Sequence, residues 1–455
     1  MVISNPIQND ANGSAAASRA GTPGAVTVLQ IGPRLEETGG MTTVCRHLAA
    51  QDWGGKYRVV HFAATHAPHG CESFRKRLIR HVRHLSLLRH TIGECGARVV
   101  HIHTCSGFSF YRFAMDGWAA RRAGCRVVLH VHGAGFDRFC AEASTIEALV
   151  IRRVLHRADA VISLSRGWGE ALRAFAPKAR IVVVENAVEE RIGDWRLAID
   201  DSVQVAARPP ARREGIPEEV GAREDSRTSS AKVLNDCHFL LLARMDVWKG
   251  VDDLLAACEV LRVRGAAFRV TLAGPGGSAG DGAELARKIA AAGLTDCVRY
   301  VGAVEGAEKE RLWSETDVLV QPSHQEGMPM SLLEALMRGI PAVATRVGAV
   351  PEVITNGREG WLVAPRAVDE LAAAMQRMID DRVARETMGR AARELARRRF
   401  SLERLARDVE MMYSRLLQED RATHSGPCDE TDLKRPARKP VSQRDYRLQT
   451  GARLV

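Results

Sequence analysis

Two glutamates eight positions apart carry the strongest chemical signal in this sequence. They are Glu326 and Glu334, in a segment that follows an apolar strand pattern, turns at Gly327 and enters a helix near Pro329. The start of a helix exposes unpaired backbone N–H groups and the positive end of the helix dipole, where a diphosphate binds readily. Carboxylates are good acceptors for the neighbouring hydroxyls of a ribose or hexose. The segment therefore predicts a site for a ligand that carries both phosphate and sugar.

Each glutamate also has an ordinary structural interpretation. The string Ser331-Leu-Leu-Glu334 fits a capping box, in which Glu334 bonds back to the Ser331 backbone N–H. Glu326, taken alone, fits a solvated loop carboxylate. The functional interpretation rests on the presence of both carboxylates in one string with the helix start.

Two basic residues follow another strand pattern, in the run Leu242-Ala-Arg244-Met-Asp-Val-Trp-Lys249-Gly250. If a bond between a sugar and a phosphate breaks nearby, negative charge grows on the phosphate, and cations stabilise that charge. The guanidinium of Arg244 can bind two phosphate oxygens, whereas the ammonium of Lys249 acts as a point charge. The alternative interpretation is a pair of solvated charges at a turn.

Four histidines lie in pairs at the ends of two strand patterns, at positions 101, 103, 130 and 132. Alternation along a strand places the members of each pair on one face. Four imidazoles are compatible with zinc, but no cysteine or carboxylate with ligand spacing joins them. The sequence therefore predicts no metal site.

Apolar strand patterns alternate with helical patterns in two stretches of the chain. Strands are predicted at 26–31, 58–62, 98–103, 126–132, 160–164 and 181–185, then at 239–243, 269–273, 298–301, 318–321 and 342–345. Helices of the second stretch are predicted at 252–264, 283–292, 307–315, 331–338 and 368–380, with a further helix at 402–417. Nearly continuous apolar strands separated by helices are typical of parallel sheets covered on both faces. The sequence predicts two α/β domains, with a ligand cleft at the carboxyl ends of their strands.

The net charge of +10 favours anionic partners such as phosphates, nucleic acid or acidic lipid. Aromatic residues make up only 5% of the chain and are not interleaved with the basic ones, which disfavours nucleic acid. The ten cysteines show no C-x-x-C pair, and we find no export signal or apolar run of the roughly eighteen residues that span a bilayer. These features predict a cytoplasmic protein with reduced thiols.

A basic amphipathic segment provides one link to membranes. An apolar stripe of Phe74, Leu78, Val82, Leu85 and Leu88 is flanked by six arginines and lysines. Such a helix can lie on an anionic membrane, or its stripe can pack against its own sheet. We expect peripheral contact with the inner face of the cytoplasmic membrane.

The string around Glu326 and Glu334 resembles the signature of the retaining glycosyltransferases of family 4, which have the GT-B fold. The resemblance is carried by the E-x7-E spacing, by Gly-Met-Pro after the first carboxylate and by Gly-Ile-Pro after the second. Further motifs match in the expected order, and the resemblance covers roughly residues 26–417. These further motifs are the Arg244–Lys249 run, Gly39-Gly40-Met41, Val183-Val-Glu-Asn-Ala-Val188 and the segment 347–354. Ala243 and Trp248 depart from the usual pattern, in which a glycine and a polar residue are frequent.

The resemblance implies a GT-B fold of two Rossmann-like parallel-sheet domains facing a cleft. We expect a leader without order at 1–24, an N-terminal, acceptor-side domain at 25–193 and a linker with insertion at 194–232. A C-terminal, donor-side domain is expected at 233–400, followed by a helix at 401–419 and a basic tail without order at 420–455. The composition of both termini cannot bury enough apolar surface to fold.

The resemblance also implies a role for each site residue. Glu334 holds the ribose hydroxyls, Arg244 and Lys249 hold the diphosphate, and Glu326 holds the sugar hydroxyls. Backbone amides are presented by Gly327, Met328, Pro329 and Met330, and Gly39 and Gly40 close over the phosphates. His132, followed by Gly133, faces the reacting carbon, so His132 and Glu326 are the predicted catalytic residues, with no cofactor and no metal.

The activity implied is transfer of a hexosyl unit from a UDP- or GDP-sugar, with retained configuration, to a lipid-linked or growing surface glycan. Attack occurs on the face from which the phosphate leaves, and that phosphate helps to deprotonate the acceptor. A sugar-nucleotide epimerase of the same fold is the alternative, although the Glu326 string lacks the acid and base pattern that epimerisation needs. A nucleic-acid-binding protein is the third alternative, and we expect no nucleic-acid partner.

Overall fold

The protein contains two parallel sheets of six strands each. The computed structural model describes residues 24–64, 74–133, 135–190 and 236–424. The first sheet has the order β2-β1-β3-β4-β5-β6, and all of its neighbouring strands run parallel. Its strands are β1 (Val26–Gly32), β2 (Tyr57–Ala63), β3 (Val99–Thr104), β4 (Arg126–Val131), β5 (Ala160–Ser163) and β6 (Ile181–Val183).

The second sheet repeats this architecture in the order β12-β11-β10-β7-β8-β9, again with parallel pairs. Its strands are β7 (Cys237–Leu242), β8 (Phe268–Ala273), β9 (Val298–Tyr300), β10 (Val318–Gln321), β11 (Ala342–Thr345) and β12 (Gly360–Val363). The predicted fold class of two parallel-sheet α/β domains is confirmed. The edge strand β12 was missed because its four residues begin with a glycine and form too short a run to show a period.

Helices connect the strands of both sheets. Those of the first sheet are α1 (Gly40–Ala50), α2 (Phe74–Cys95), α3 (Phe108–Arg122), α4 (Phe136–Ala141), α5 (Thr145–Arg157) and α6 (Arg166–Phe175). Those that follow are α7 (Val251–Val263), α8 (Gly282–Ala291), α9 (Gly306–Glu315), α10 (Met330–Met337), α11 (Val350–Val353), α12 (Val368–Asp380), α13 (Arg382–Arg399) and α14 (Leu402–His424). The sequence did not predict α13, because its many arginines obscure the apolar face formed by Met388, Ala392 and Ala396.

The predicted end of the last helix at residue 419 is wrong, since α14 continues to His424. Both sheets belong to one compact unit that ends at Met412, and a second unit begins at Tyr413, within α14. Nearly all of the predicted leader, the whole predicted linker with insertion and the tail beyond His424 lie outside the described residues.

Apolar strands form the centre of each domain. Leu29, Ile102 and Leu129 are fully or almost fully buried in the first sheet, and Phe239 and Leu272 are in the second. Because parallel strands covered by helices on both faces bury both sets of side chains, these strands are continuously apolar. The polar residues of interest follow the carboxyl ends of the strands, where open parallel sheets bind ligands.

The amphipathic segment forms α2, but its predicted stripe divides into two sets. Leu88 is fully buried and Leu85 packs against the core, whereas Val82 is 58% exposed and lies near Ile79, which is 52% exposed. The side chains of Phe74 and Leu78 lie outside the described residues. The stripe is therefore core at its C-terminal end and exposed around position 80. No helix within the described ranges is long and apolar enough to cross a membrane.

Candidate active site

Glu326 lies in a buried pocket of hydrogen-bond donors after β10, with only 6% of the residue exposed. Its Oε1 atom accepts from Lys249 Nζ at 2.6 Å, Ser323 Oγ at 2.7 Å and Gln321 Nε2 at 2.8 Å. The interpretation as a solvated loop carboxylate is therefore wrong. Because three donors converge on one oxygen, the carboxylate has a fixed orientation.

Lys249 reaches Glu326 because two loops of the second domain approach each other closely. It ends a 3₁₀ turn, Val247–Lys249, and is followed by Gly250 with φ of 71°. A Cβ atom at Gly250 would lie 2.0 Å from the carbonyl oxygen of Pro322, so only glycine permits this approach. The backbone N–H of His324 donates to the Trp248 carbonyl at 2.7 Å and fixes the same contact. Two residues predicted to bind the donor thus touch directly.

Arg244 is separate from this cluster and remains accessible. Its side chain is 58% exposed, its Nε donates to buried Asp246, and its guanidinium carbon lies 5.7 Å from the centre of the Trp248 ring. Asp246 in turn accepts from the Ser278 N–H at 3.1 Å. Trp248, a departure from the family pattern, therefore supports the guanidinium in a position from which it can reach an anion.

Glu334 is paired with a residue that the sequence did not single out. The Lys309 ammonium of α9 lies 2.9 Å from one oxygen of Glu334 and 2.7 Å from the other. The capping-box interpretation is wrong, because α10 begins at Met330 with Pro329 as its N-cap and has no side-chain cap. Lys309 gave no signal because it lies in an ordinary charged run of α9.

The N-terminus of α10 faces the first domain. A Cβ atom at Gly40 would come within 3.3 Å of Met330 Cγ, and Gly39 has a φ of 152° that side chains rarely adopt. The Asn186 side-chain amide donates to the Met328 carbonyl at 3.0 Å. The glycine turn and the helix start, far apart in sequence, therefore lie together.

Backbone amides at this helix start come from fewer residues than predicted. Pro329 has no N–H, so the donors of the segment are Gly327, Met328 and Met330. The segment 347–349 packs closely against this loop. A Cβ atom at Gly348 would lie 2.0 Å from the Glu326 carbonyl oxygen, and the Ala349 N–H donates to the Gly327 carbonyl at 2.9 Å.

A second contact between the domains was missed at the sequence level. The Glu352 carboxylate accepts from the backbone N–H groups of Arg166 at 2.9 Å and Gly167 at 2.8 Å, at the start of α6. A carboxylate at a helix N-terminus is favoured by the dipole. The Glu352 carbonyl also accepts from Arg399, whose guanidinium pairs with Glu185. The signal was present, since Glu352 belongs to a matching motif, but its partners are distant in sequence.

The four histidines form a hydrogen-bonded stack at the ends of β3 and β4. His103 Nδ1 lies 2.8 Å from His132 Nε2, and His101 Nε2 lies 3.1 Å from His130 Nδ1. Burial lowers the pKa of His101 and His132 to about 3, and burial with the neighbouring imidazoles holds the pKa of His103 and His130 well below its usual value. All four rings are therefore neutral at physiological pH.

Three of these rings, His101, His103 and His130, have nitrogen atoms within 4.8 Å of one another, a spacing that a metal ion could use. The rings of His101 and His103 are stacked with their planes 1° apart and their centres 4.6 Å apart. Lone pairs lie in the ring plane, so stacked rings direct them side by side and not toward one point. The geometry favours a hydrogen-bonded stack over a metal site.

Comparison with known proteins assigns both domains. Residues 22–187 match the glycosyl transferase 4-like domain, and residues 222–395 match the glycosyl transferases group 1 domain. A glycogen synthase of Mycobacterium tuberculosis is 33% identical over 174 residues, which cover 38% of this chain and 41% of the relative. The amylovoran biosynthesis glycosyltransferase AmsK of Erwinia amylovora is 33% identical over 145 residues, which cover 30% of this chain and 35% of the relative. The matches thus span between 35% and 41% of the length of these curated relatives.

Solved structures show the same architecture over most of the chain. Sucrose-phosphate synthase from Thermosynechococcus elongatus superposes with a TM-score of 0.67 at 19% identity, covering 87% of this chain and 100% of that one. Anabaena Alr3699/HepE in complex with UDP-glucose gives 0.61 at 18% identity, covering 85% and 99%. These identities show the fold alone. With a glycosyltransferase domain matched to each of its two parallel sheets, the chain belongs to the family-4 type of glycosyltransferases with the GT-B fold.

Proposed function

We propose that the protein transfers a hexosyl unit from a nucleotide diphosphate sugar to a glycan acceptor, with retention of configuration. The observation that carries the proposal is the direct contact of Lys249 with Glu326 beside the start of α10, opposite the Gly39–Gly40 turn. A cation, a fixed carboxylate and a helix N-terminus are together suited to a ligand with adjacent phosphate and sugar groups.

The nucleotide end would lie along the second domain. Glu334, whose side chain is 14% exposed, would accept hydrogen bonds from the ribose hydroxyls while Lys309 holds its carboxylate in place. Arg244 would leave Asp246 to bind the diphosphate, which its 58% exposed side chain can do without unfolding any element. The N–H groups of Met328 and Met330 would bind phosphate oxygens.

The sugar end would lie near Glu326 and His132. The Glu326 oxygen that the three donors do not engage would accept from a sugar hydroxyl, and Lys249 would divide its charge between Glu326 and the departing phosphate. During transfer, the bond between the anomeric carbon and the phosphate oxygen breaks. The acceptor oxygen bonds to the same face of that carbon, and its proton passes to the departing phosphate. Lys249 and Arg244 would stabilise the negative charge that develops on the leaving group.

The acceptor would be a lipid-linked or growing surface glycan, and one relative is named for the biosynthesis of amylovoran. Ile79 and Val82 of α2 are exposed, and Met115 and Trp118 of α3, a helix in contact with α2, are 44% and 49% exposed. The guanidinium carbon of Arg122 lies 4.8 Å from the centre of the Trp118 ring. Exposed apolar side chains with basic neighbours suit peripheral contact with an anionic membrane. Sedimentation with phosphatidylglycerol vesicles, but not phosphatidylcholine vesicles, is the expected result, and equal sedimentation with both would contradict it.

The test is a screen of UDP- and GDP-sugars with a membrane lipid and glycan extract. We expect release of nucleoside diphosphate from at least one donor that depends on the extract, and severe loss of release in Glu326→Ala and Arg244→Ala. Both variants keep the apolar cores intact, so thermal melting should remain cooperative. Unchanged turnover in both variants would refute the site. Conversion of the donor to an epimer without any acceptor would instead favour the epimerase, although both matched domains favour transfer.

A further inference from the structure

The contact between His103 and His132 defines which nitrogen of each ring carries the proton. A neutral imidazole has one N–H donor and one acceptor nitrogen. His103 Nδ1 faces His132 Nε2 at 2.8 Å, while His103 Nε2 is buried without a hydrogen-bond partner among the described residues. An unpaired buried N–H is rarer than an unpaired acceptor. The proton of His103 therefore lies on Nδ1, which donates to His132 Nε2.

This assignment fixes the proton of His132 as well. Because His132 Nε2 accepts, the proton of this neutral ring lies on Nδ1, the nitrogen that the stack leaves for a ligand. The second pair repeats the pattern, since His130 Nδ1 faces His101 Nε2 at 3.1 Å while His130 Nε2 has no partner in the described part of the chain. Both pairs thus have a ring that donates through Nδ1.

We propose that His103 is a positioning residue that fixes the ring and tautomer of His132, so that His132 presents a neutral Nδ1–H donor to an oxygen of the donor sugar. The role of His132 toward the sugar rests on the proposed function, whereas the tautomer of its ring is a property of the ligand-free protein. No proton is transferred, since the ring only donates a hydrogen bond.

The surroundings keep this donor neutral. The imidazoles that lie against His103 and His132 are those of His101 and His130, and His61 of β2 also acts on His103. His61 is itself engaged by Gln30 at 2.9 Å and by the Pro33 carbonyl at 2.8 Å. A proton on any ring would repel one on its neighbours in a buried setting.

Two substitutions at position 103 separate positioning from packing. His103→Asn places an amide N–H close to the position of imidazole Nδ1 and keeps the donor, whereas His103→Leu keeps apolar volume and removes it. We expect kcat to fall about tenfold in His103→Leu, as for a lost buried hydrogen bond. In His103→Asn we expect kcat to stay within about threefold of wild type. If the role of His103 were purely structural, kcat would fall equally in both variants.

The tautomer is read directly by nitrogen-15 chemical shifts of histidine-labelled, full-length protein, with the His132 signals assigned by their absence in His132→Asn. Wild type should show a protonated Nδ1 and an unprotonated Nε2 at His132, and His103→Leu should show a mixture or the opposite tautomer. A protonated Nε2 in wild type would overturn the proposal. This measurement needs no substrate and no variant at position 103, so it stands even if transfer activity is absent or His103→Leu does not fold.

Discussion

Replacing Lys249 with methionine removes one charge from the centre of the site while keeping an unbranched side chain. Lys249 Nζ lies 2.6 Å from Glu326 Oε1, and the two side chains are 20% and 5% exposed. Breaking a buried pair costs about 3–5 kcal/mol. Gln321 and Ser323 still donate to Glu326 in the variant, and Lys249 is partly solvated, so we expect a loss of stability of about 2 kcal/mol.

The loss of activity should exceed what this destabilisation explains. A cation that stabilises the charge developing on the leaving phosphate lowers the energy of the transition state, as a hydrogen-bond donor in an oxyanion hole does. Removal of one such donor typically lowers kcat by about 100- to 1,000-fold, and we expect the same of Lys249→Met. The assay is acceptor-dependent release of nucleoside diphosphate, measured at a temperature where melting shows the variant to be folded.

Lys288→Met is the matched control, since Lys288 forms an ion pair of 2.8 Å with Asp252 in which the two side chains are 31% and 57% exposed. It should cost less than about 1 kcal/mol and leave kcat unchanged. The double variant Lys249→Met/Glu326→Gln removes both charges and should regain stability without regaining activity. A kcat for folded Lys249→Met within about threefold of wild type would refute the reasoning.

Three further predictions test other parts of the structure. Gly250→Ala should destabilise the protein by well over the roughly 1 kcal/mol expected for Gly265→Ala in thermal melting, because both glycines have positive φ but only Gly250 would meet a carbonyl oxygen. An equal loss of stability in Gly250→Ala and Gly265→Ala would contradict the close approach of the two loops. Lys309→Met should raise KM for the donor by about tenfold with little change in kcat, because the Glu334 carboxylate loses the ion pair that orients it. A fall in kcat alone would contradict a role in nucleotide binding. The free energy of unfolding should fall by about 2 kcal/mol between pH 6.5 and 5.5, because His101 and His132 bind protons there only when unfolded. Denaturant titration that finds equal stability at both pH values would contradict their burial as neutral rings.

Local patterns predicted the elements with strong periods, and missed those without them. The strand at Val318–Gln321 and the helix at Val368–Asp380 were predicted to the residue, because apolar runs and helical spacing are local properties. Helix α13 and strand β12 were missed, since an arginine-rich helix and a four-residue edge strand carry weak periodicity. Tertiary contacts stabilise both, and a single sequence does not reveal those contacts.

The site was predicted as a set of residues, but not as a set of contacts. The E-x7-E string and the Arg244–Lys249 run identify chemistry, and the resemblance orders them along one ligand. That Lys249 binds Glu326, that Lys309 binds Glu334 and that Glu352 caps α6 all depend on loops brought together from distant positions. The histidine pairs were recognised on single strands, whereas their hydrogen bonds run between β3 and β4 and required the sheet register.

Equilibrium binding of UDP and of GDP to the full-length protein, measured by titration calorimetry, tests the central claim most directly. We predict saturable binding of one of the two at a single site, weakened at least about tenfold by Lys249→Met and unchanged by Lys288→Met. Absence of saturable binding of either nucleotide to folded wild type, or equal affinity in Lys249→Met, would contradict the account.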